Sequence, residues 1–348
     1  MSRERRRRPL LENPMNTRSL TPLADPASAA ELPGAADAAQ HPCEDAVAPL
    51  GASRAHWNLP DIVQGLRESR EVTHNVRHRG RIRELPSREA LAQVLDGLSA
   101  ALFPTHYGQP DLSDEGIDYF VGNTLNNTLN ILVEQVRRAL LFVYDHDAAR
   151  DARLQRKAVE ITGQFAAQLP AIRALLVSDL LAAYQGDPAA SSTSEILLCY
   201  PGMTAVIYYR LAHALHLLEM PLLARLITEI AHSLTGIDIH PGAQIGASFF
   251  IDHGTGVVIG ETAVIGQRVR LYQAVTLGAK RFPADASGVL IKGTARHPII
   301  EDDVVIYAGA TLLGRITIGE GSTIGGNVWL TQSVPPGSNV AQAKMRND

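Results

Sequence analysis

From Ile300 to Leu330 an aliphatic residue returns at every sixth position, at Ile300, Ile306, Leu312, Ile318, Ile324 and Leu330. Helices repeat their buried face after about three or four residues and strands after about two, so neither explains this spacing. A six-residue period predicts a coil of short straight segments joined at corners, each segment sending one apolar side chain into a shared core. The same beat runs through Ile239, Ile245 and Ile251, slips by two residues, and resumes at Ile259, Ile265, Leu271 and Leu277. Upstream, from about Trp57 to Leu234, apolar residues recur at three- and four-residue spacing, which predicts helices. Ser87 before Arg88–Leu102, Ser113 before a run ending near Tyr144, and the stretches flanked by Pro170, Pro201 and Pro221 mark about six to eight of them. Ile117, Phe120, Val121, Leu125, Leu129, Leu132 and Val136 fall on one face of the long run. Tyr208, Tyr209, His213 and His216 form a stripe that reads as a packed helix face.

This patterning sets the domain boundaries. Residues 1–55 are rich in Ala, Pro and acidic residues, lack apolar periodicity, and are expected not to fold. Residues 56–235 form the helical region, 236–336 the six-residue coil with a loop over 279–299, and 337–348 a short tail. The fold class is thus α+β, helices first and repeats after. A chain of 348 residues with a formal net charge of −4 lacks the basic surface a nucleic-acid partner requires. The Arg3–Arg8 run reads as a solvated tail, and no apolar stretch follows it, so neither a secretory signal nor a membrane span is expected. Cys43 and Cys199 have neither disulfide-framework nor metal-type spacing, which suits a reducing, cytoplasmic setting.

A regular coil is scaffold, so chemistry is expected where the beat breaks. One break is the slip at Ile251-Asp252-His253-Gly254-Thr255-Gly256. The other is the excursion from Ala279 to Ile299, which carries Lys280, Arg281, Lys292, Arg296 and His297. Three six-residue units make about one turn of a three-sided coil, so Asp238, fifteen residues before His253, is expected roughly beneath it. A carboxylate bonded to one ring nitrogen fixes the tautomer and raises the basicity of the other, as a general base requires. A metal site through His240 and His297 would need further ligands, and none is expected.

Gly236-Ile237-Asp238-Ile239-His240-Pro241, the Asp252-His253 run, Val258-Ile259-Gly260-Glu261-Thr262-Ala263, Val275-Thr276-Leu277-Gly278 and Arg296-His297-Pro298 together resemble the serine O-acetyltransferases. The resemblance spans about Asp187 to Pro336. It implies a helical N-terminal domain followed by a left-handed parallel β-helix, assembled as trimers and commonly as two joined trimers. It also implies transfer of acetyl from acetyl-CoA to L-serine, the first step of cysteine biosynthesis, with acetyl-CoA as co-substrate and no permanently bound cofactor. His253 then matches the catalytic base and Asp238 its partner. Asp187 and Asp252 match residues at the serine amino or hydroxyl end, Arg296 and His297 those holding its carboxylate, and Gly278, Ala279 and Ala308 lie along the CoA groove. Serine is a zwitterion, so carboxylates for its ammonium and a cation for its carboxylate make independent chemical sense. No Ser or Cys lies beside His253, so direct transfer is expected.

Two features depart from the familiar pattern. The 279–295 excursion is long, its cations reading as CoA-phosphate contacts or as the solvated face of a loop. The chain ends at Arg346-Asn347-Asp348 without the isoleucine-terminated tail that docks into O-acetylserine sulfhydrylase, so a complex made that way is not expected. The competing readings are a related acetyltransferase for homoserine, a sugar or an antibiotic hydroxyl, and a non-catalytic scaffold.

Overall fold

The computed structural model describes residues 57–72, 84–143, 148–281 and 284–342. The tail expected over 1–55 and Cys43 lie outside these residues. The chain forms two compact units, Met1–Arg77 and His78–Asp348. Among the described residues the first contains helix α1 (Leu59–Val72), and the other helices and the strands belong to the second.

In the second unit α2 (Arg88–Leu102) starts where expected, the Ser87 hydroxyl accepting the Ala90 N–H. It is followed by α3 (Pro104–Tyr107), α4 (Ile117–Val143), α5 (Ala148–Gly186), α6 (Thr193–Cys199), α7 (Pro201–Leu217) and α8 (Pro221–Thr235). Pro201 and Pro221 occupy first-turn positions, where a missing N–H costs nothing. Pro170 does not separate helices, because α5 runs through it. Phe165 and Leu169 before it and Ile172 and Leu176 after it are all buried, and that packing offsets the lost backbone bond. By length and composition Ala152–Gly186 could cross a membrane. Here one stripe of it, from Leu154 and Ala158 to Leu180 and Ala183, is buried in the helical core, while Val159, Leu175 and Leu181 are exposed.

The repeat region is a three-sided coil of parallel two- and three-residue strands. The first sheet stacks β1 (Asp238–Ile239), β4 (Val258–Ile259), β7 (Thr276–Gly278), β10 (Thr311–Leu313) and β13 (Trp329–Leu330). The second stacks β2 (Gln244–Ile245), β5 (Val264–Ile265), β8 (Ile299–Ile300) and β11 (Thr317–Ile318). The third stacks β3 (Phe250–Ile251), β6 (Arg270–Leu271), β9 (Val305–Ile306), β12 (Thr323–Ile324) and β14 (Asn339–Val340). Registers run aliphatic on aliphatic, as in Ile239↔Ile259 and Leu271↔Ile306, which builds a continuous apolar axis. β14 lies inside the expected tail: Val340 pairs with Ile324, and the Pro335-Pro336 turn hid it by breaking the six-residue count.

The glycines that follow the aliphatic position serve close approach rather than turn conformation. A Cβ on Gly246 would lie 2.6 Å from the Gly266 carbonyl oxygen of the next coil. The left-handed residue at most corners is instead the third after the aliphatic, as at Ser248, Arg268, Ala274, Asp303 and Asn327.

The helical region caps the first coil. Asp179 and Arg210 form a buried bidentate pair at 2.6 and 2.8 Å. Arg210 also donates to the Gly246 carbonyl, and Asp179 accepts the Phe249 N–H. The Tyr208–His216 stripe is a packed face: the Tyr209 hydroxyl donates to the Ala243 carbonyl and the His213 ring bonds that of Pro241. These contacts lock α5 and α7 to the coil that carries His253.

Candidate active site

The two breaks in the beat sit at different corners. Asp252 and His253 follow β3, at the corner between the third and first sheets. The slip gives that corner three left-handed residues, Gly254, Gly256 and His253 itself, whose φ is 59°. Such a conformation costs a non-glycine residue on the order of 1 kcal/mol and marks a site where the surroundings dictate the backbone. His253 projects outward with 69% of its side chain exposed, and its Nδ1 lies 3.9 Å from Asp252.

Helix α5 delivers Asp187 to the same corner. Its carboxylate accepts the Tyr200 hydroxyl at 2.6 Å and the Ala189 N–H at 2.8 Å. Those bonds, with the charges of Arg270 and His253, hold its pKa below the usual carboxylate range. The same bond pushes Tyr200 up to about 12. Asp252 is buried and paired with Arg270 at 2.7 Å.

Asp238 is not directly beneath His253. The two extra residues of the slip set Val258 over it in the first sheet. Its carboxylate faces Arg225 of α8 at 3.5 Å, beside Glu229 and His232. The donor atoms of Glu229, His232 and Asp238 lie within 4.8 Å of one another, a set able to hold a metal ion, with Arg225 also bonded to Glu229. His253 nonetheless belongs to the segment packed on Asp238's own: Gly256 donates to the Gly236 carbonyl, and Gly254 rests on Ile237.

Arg296 and His297 occupy the corner between the first and second sheets, where the long loop rejoins β8. Arg296 binds Glu261 at 2.6 Å and lowers its pKa. The His297 ring lies against Gly260, where a Cβ would lie 2.0 Å from it, and Nδ1 accepts the Thr262 N–H at 3.1 Å. The ring proton is therefore on Nε2. Arg315 ties this corner together through the carbonyls of Thr262 and His297. Gly278 and Ala279 border the same corner, whereas Ala308 lies on the His253 side, after β9. Lys280, Arg281 and Lys292 are exposed.

Burial, reinforced by the charge of Arg296, lowers the pKa of His297 from 6.5 to about 4. Between these values the unfolded chain binds the extra proton, so this contribution to stability is complete above 6.5 and lost as pH falls towards about 4. Thermal scans across that interval are expected to show a steeper loss of Tm for the native protein than for His297→Asn. Parallel losses would remove His297 as the source.

Tyr200, Arg270, Glu261 and Arg315 were not singled out from sequence. Glu261 stood inside a recognised motif, but Arg270 and Tyr200 acquire partners only through coil register and helix docking.

The family model described as bacterial transferase hexapeptide (six repeats) matches residues 297–332. A plasmid-encoded serine acetyltransferase of Synechococcus elongatus is 60% identical over 301 residues, covering 85% of this chain and 94% of its own. That of Mycobacterium tuberculosis is 51% identical over 162 residues, covering 47% and 67%. Among solved structures, serine acetyltransferase 1 of Entamoeba histolytica in complex with L-cysteine has a TM-score of 0.63 at 36% identity, covering 81% of this chain and 97% of its own.

Proposed function

The chain belongs to the serine acetyltransferase family, and from that premise we propose how its two corners divide the reaction. It transfers an acetyl group to serine, in the synthesis of cysteine. In our reading acetyl-CoA is the donor, held as a co-substrate along the small residues Gly278, Ala279 and Ala308. Neutral His253 takes the serine hydroxyl proton as the oxygen attacks the thioester carbonyl. The tetrahedral intermediate then expels the CoA sulfur, which receives that proton, and the acetyl group remains on serine. Asp187 and Asp252 receive the ammonium group, while Arg296 and the Nε2–H of His297 receive the carboxylate. The carboxylate that faces His253 Nδ1 is that of Asp252, at 3.9 Å, while Asp238 faces Arg225.

The observation that carries this reading is the separation of the two halves. One chain presents base and ammonium site at one edge of the first sheet and the carboxylate clamp at the other edge. A head-to-tail contact that sets one copy's His253 corner against the next copy's Arg296 corner completes the site and closes into a ring. We propose a trimer with the first sheet towards its axis, an arrangement supported by Val258 and Trp329, exposed on that sheet at 38% and 69%. A cytoplasmic location fits a metabolic thioester and the free thiol of Cys199.

The test is CoA release from acetyl-CoA with serine, homoserine and sugars side by side. Serine is expected to exceed the sugars by at least about 100-fold, because a sugar offers neither the ammonium nor the carboxylate that the two corners are built to bind. A sugar turned over as well as serine would replace this substrate assignment.

A further inference from the structure

Arg270 opens β6, directly over Phe250 of β3. Its guanidinium stands 5.0 Å from the Phe250 ring centre and 4.6 Å from that of Tyr272, which in turn stacks on Tyr307 at 5.0 Å and 11°. Two of its nitrogens are committed in different directions. One donates to Asp252 Oδ2 at 2.7 Å, and the other to the Gly186 carbonyl at 2.5 Å. Gly186 immediately precedes Asp187 and packs so closely that a Cβ there would lie 3.0 Å from the Phe250 ring.

We infer that Arg270 is a positioning residue for serine binding. Its planar fork holds Asp252, from the coil, and the Gly186–Asp187 turn, from the helical region, at one fixed separation. Two carboxylates that converge on one ammonium repel each other while the site is empty. Arg270 offsets that repulsion from the protein side and leaves the substrate side of both carboxylates open. The aromatic sandwich fixes the plane of the fork, while Nε is buried without a hydrogen-bond partner among the described residues. Lysine cannot reproduce this, since its ammonium is a point charge on a flexible stem. The inference rests on reading Asp187 and Asp252 as the ammonium site.

The experiment compares Arg270→Gln, Arg270→Lys, Asp252→Asn and the Arg270→Gln/Asp252→Asn double variant in steady-state kinetics, with thermal unfolding as the check on folding. Arg270→Gln is expected to raise the serine KM about 10- to 100-fold, the size of a lost charge-assisted hydrogen bond. Its kcat should stay within about threefold and its acetyl-CoA KM should not move, the pattern of lost ground-state binding. Arg270→Lys should recover only part of the loss, and the double variant should lose less than the two single losses combined, because both substitutions act on Asp252 while only Arg270 also holds the Gly186–Asp187 turn. If Arg270→Gln does not fold, Arg270→Lys carries the test, with a smaller rise in serine KM. A normal serine KM in the folded Arg270 variants, beside a raised one in Asp252→Asn, would overturn the inference alone. A normal serine KM in Asp252→Asn would instead overturn the site reading beneath it.

Discussion

His253→Ala is expected to lower kcat by about 10²- to 10⁴-fold, the usual contribution of a positioned general base. The structure makes this a clean experiment. The side chain is 69% exposed, so its removal is expected to leave the coil intact. The backbone constraint at φ 59° stays with any residue placed there, which makes His253→Asn a useful second variant because Asn tolerates the left-handed region well. Both variants should melt within a few degrees of the native protein while turnover collapses. Near-native kcat from either, in correctly assembled protein, would remove His253 from the proton transfer.

Two inactive chains are expected to restore one another. If each site takes His253 from one copy and Arg296 from the next, His253→Ala and Arg296→Ala damage opposite edges of the same sheet. In mixed rings some junctions pair a native His253 with a native Arg296. For random mixing in equal amounts about a quarter of the junctions are intact, so co-expression should recover about a quarter of native activity at low serine. Each variant alone should remain far below that level. Mixing the purified proteins without subunit exchange provides the control and should recover nothing. If co-expressed chains stay as inactive as their parents, the site is not shared between copies, and a single chain would have to bring its two corners together.

The fold was largely legible because its cause is local. Six-residue spacing of Ile and Leu can bury a continuous apolar axis in only one way, and the observed registers are those the spacing implies. Ser87, Pro201 and Pro221 likewise announced helix starts through their own hydrogen-bonding chemistry. Pro170 misled because packing on both sides outweighed a local defect. The last strand escaped because Pro335-Pro336 shortens the coil and shifts Val340 off the beat.

The site divides in the same way. The sequence by itself singled out the candidate residues, since an Asp-His pair among glycines and an Arg-His pair after a long excursion stand out against any regular scaffold. Only the tertiary structure decided who meets whom. The slip carries Asp238 under Val258, helix docking brings Tyr200 and Asp187 to the His253 corner, and register places Arg270 between Phe250 and Tyr272. The clamp falls at the opposite edge of the sheet. The physical reason is that periodicity specifies which way a side chain points, whereas separation in space depends on how many residues each corner holds and on what packs against it.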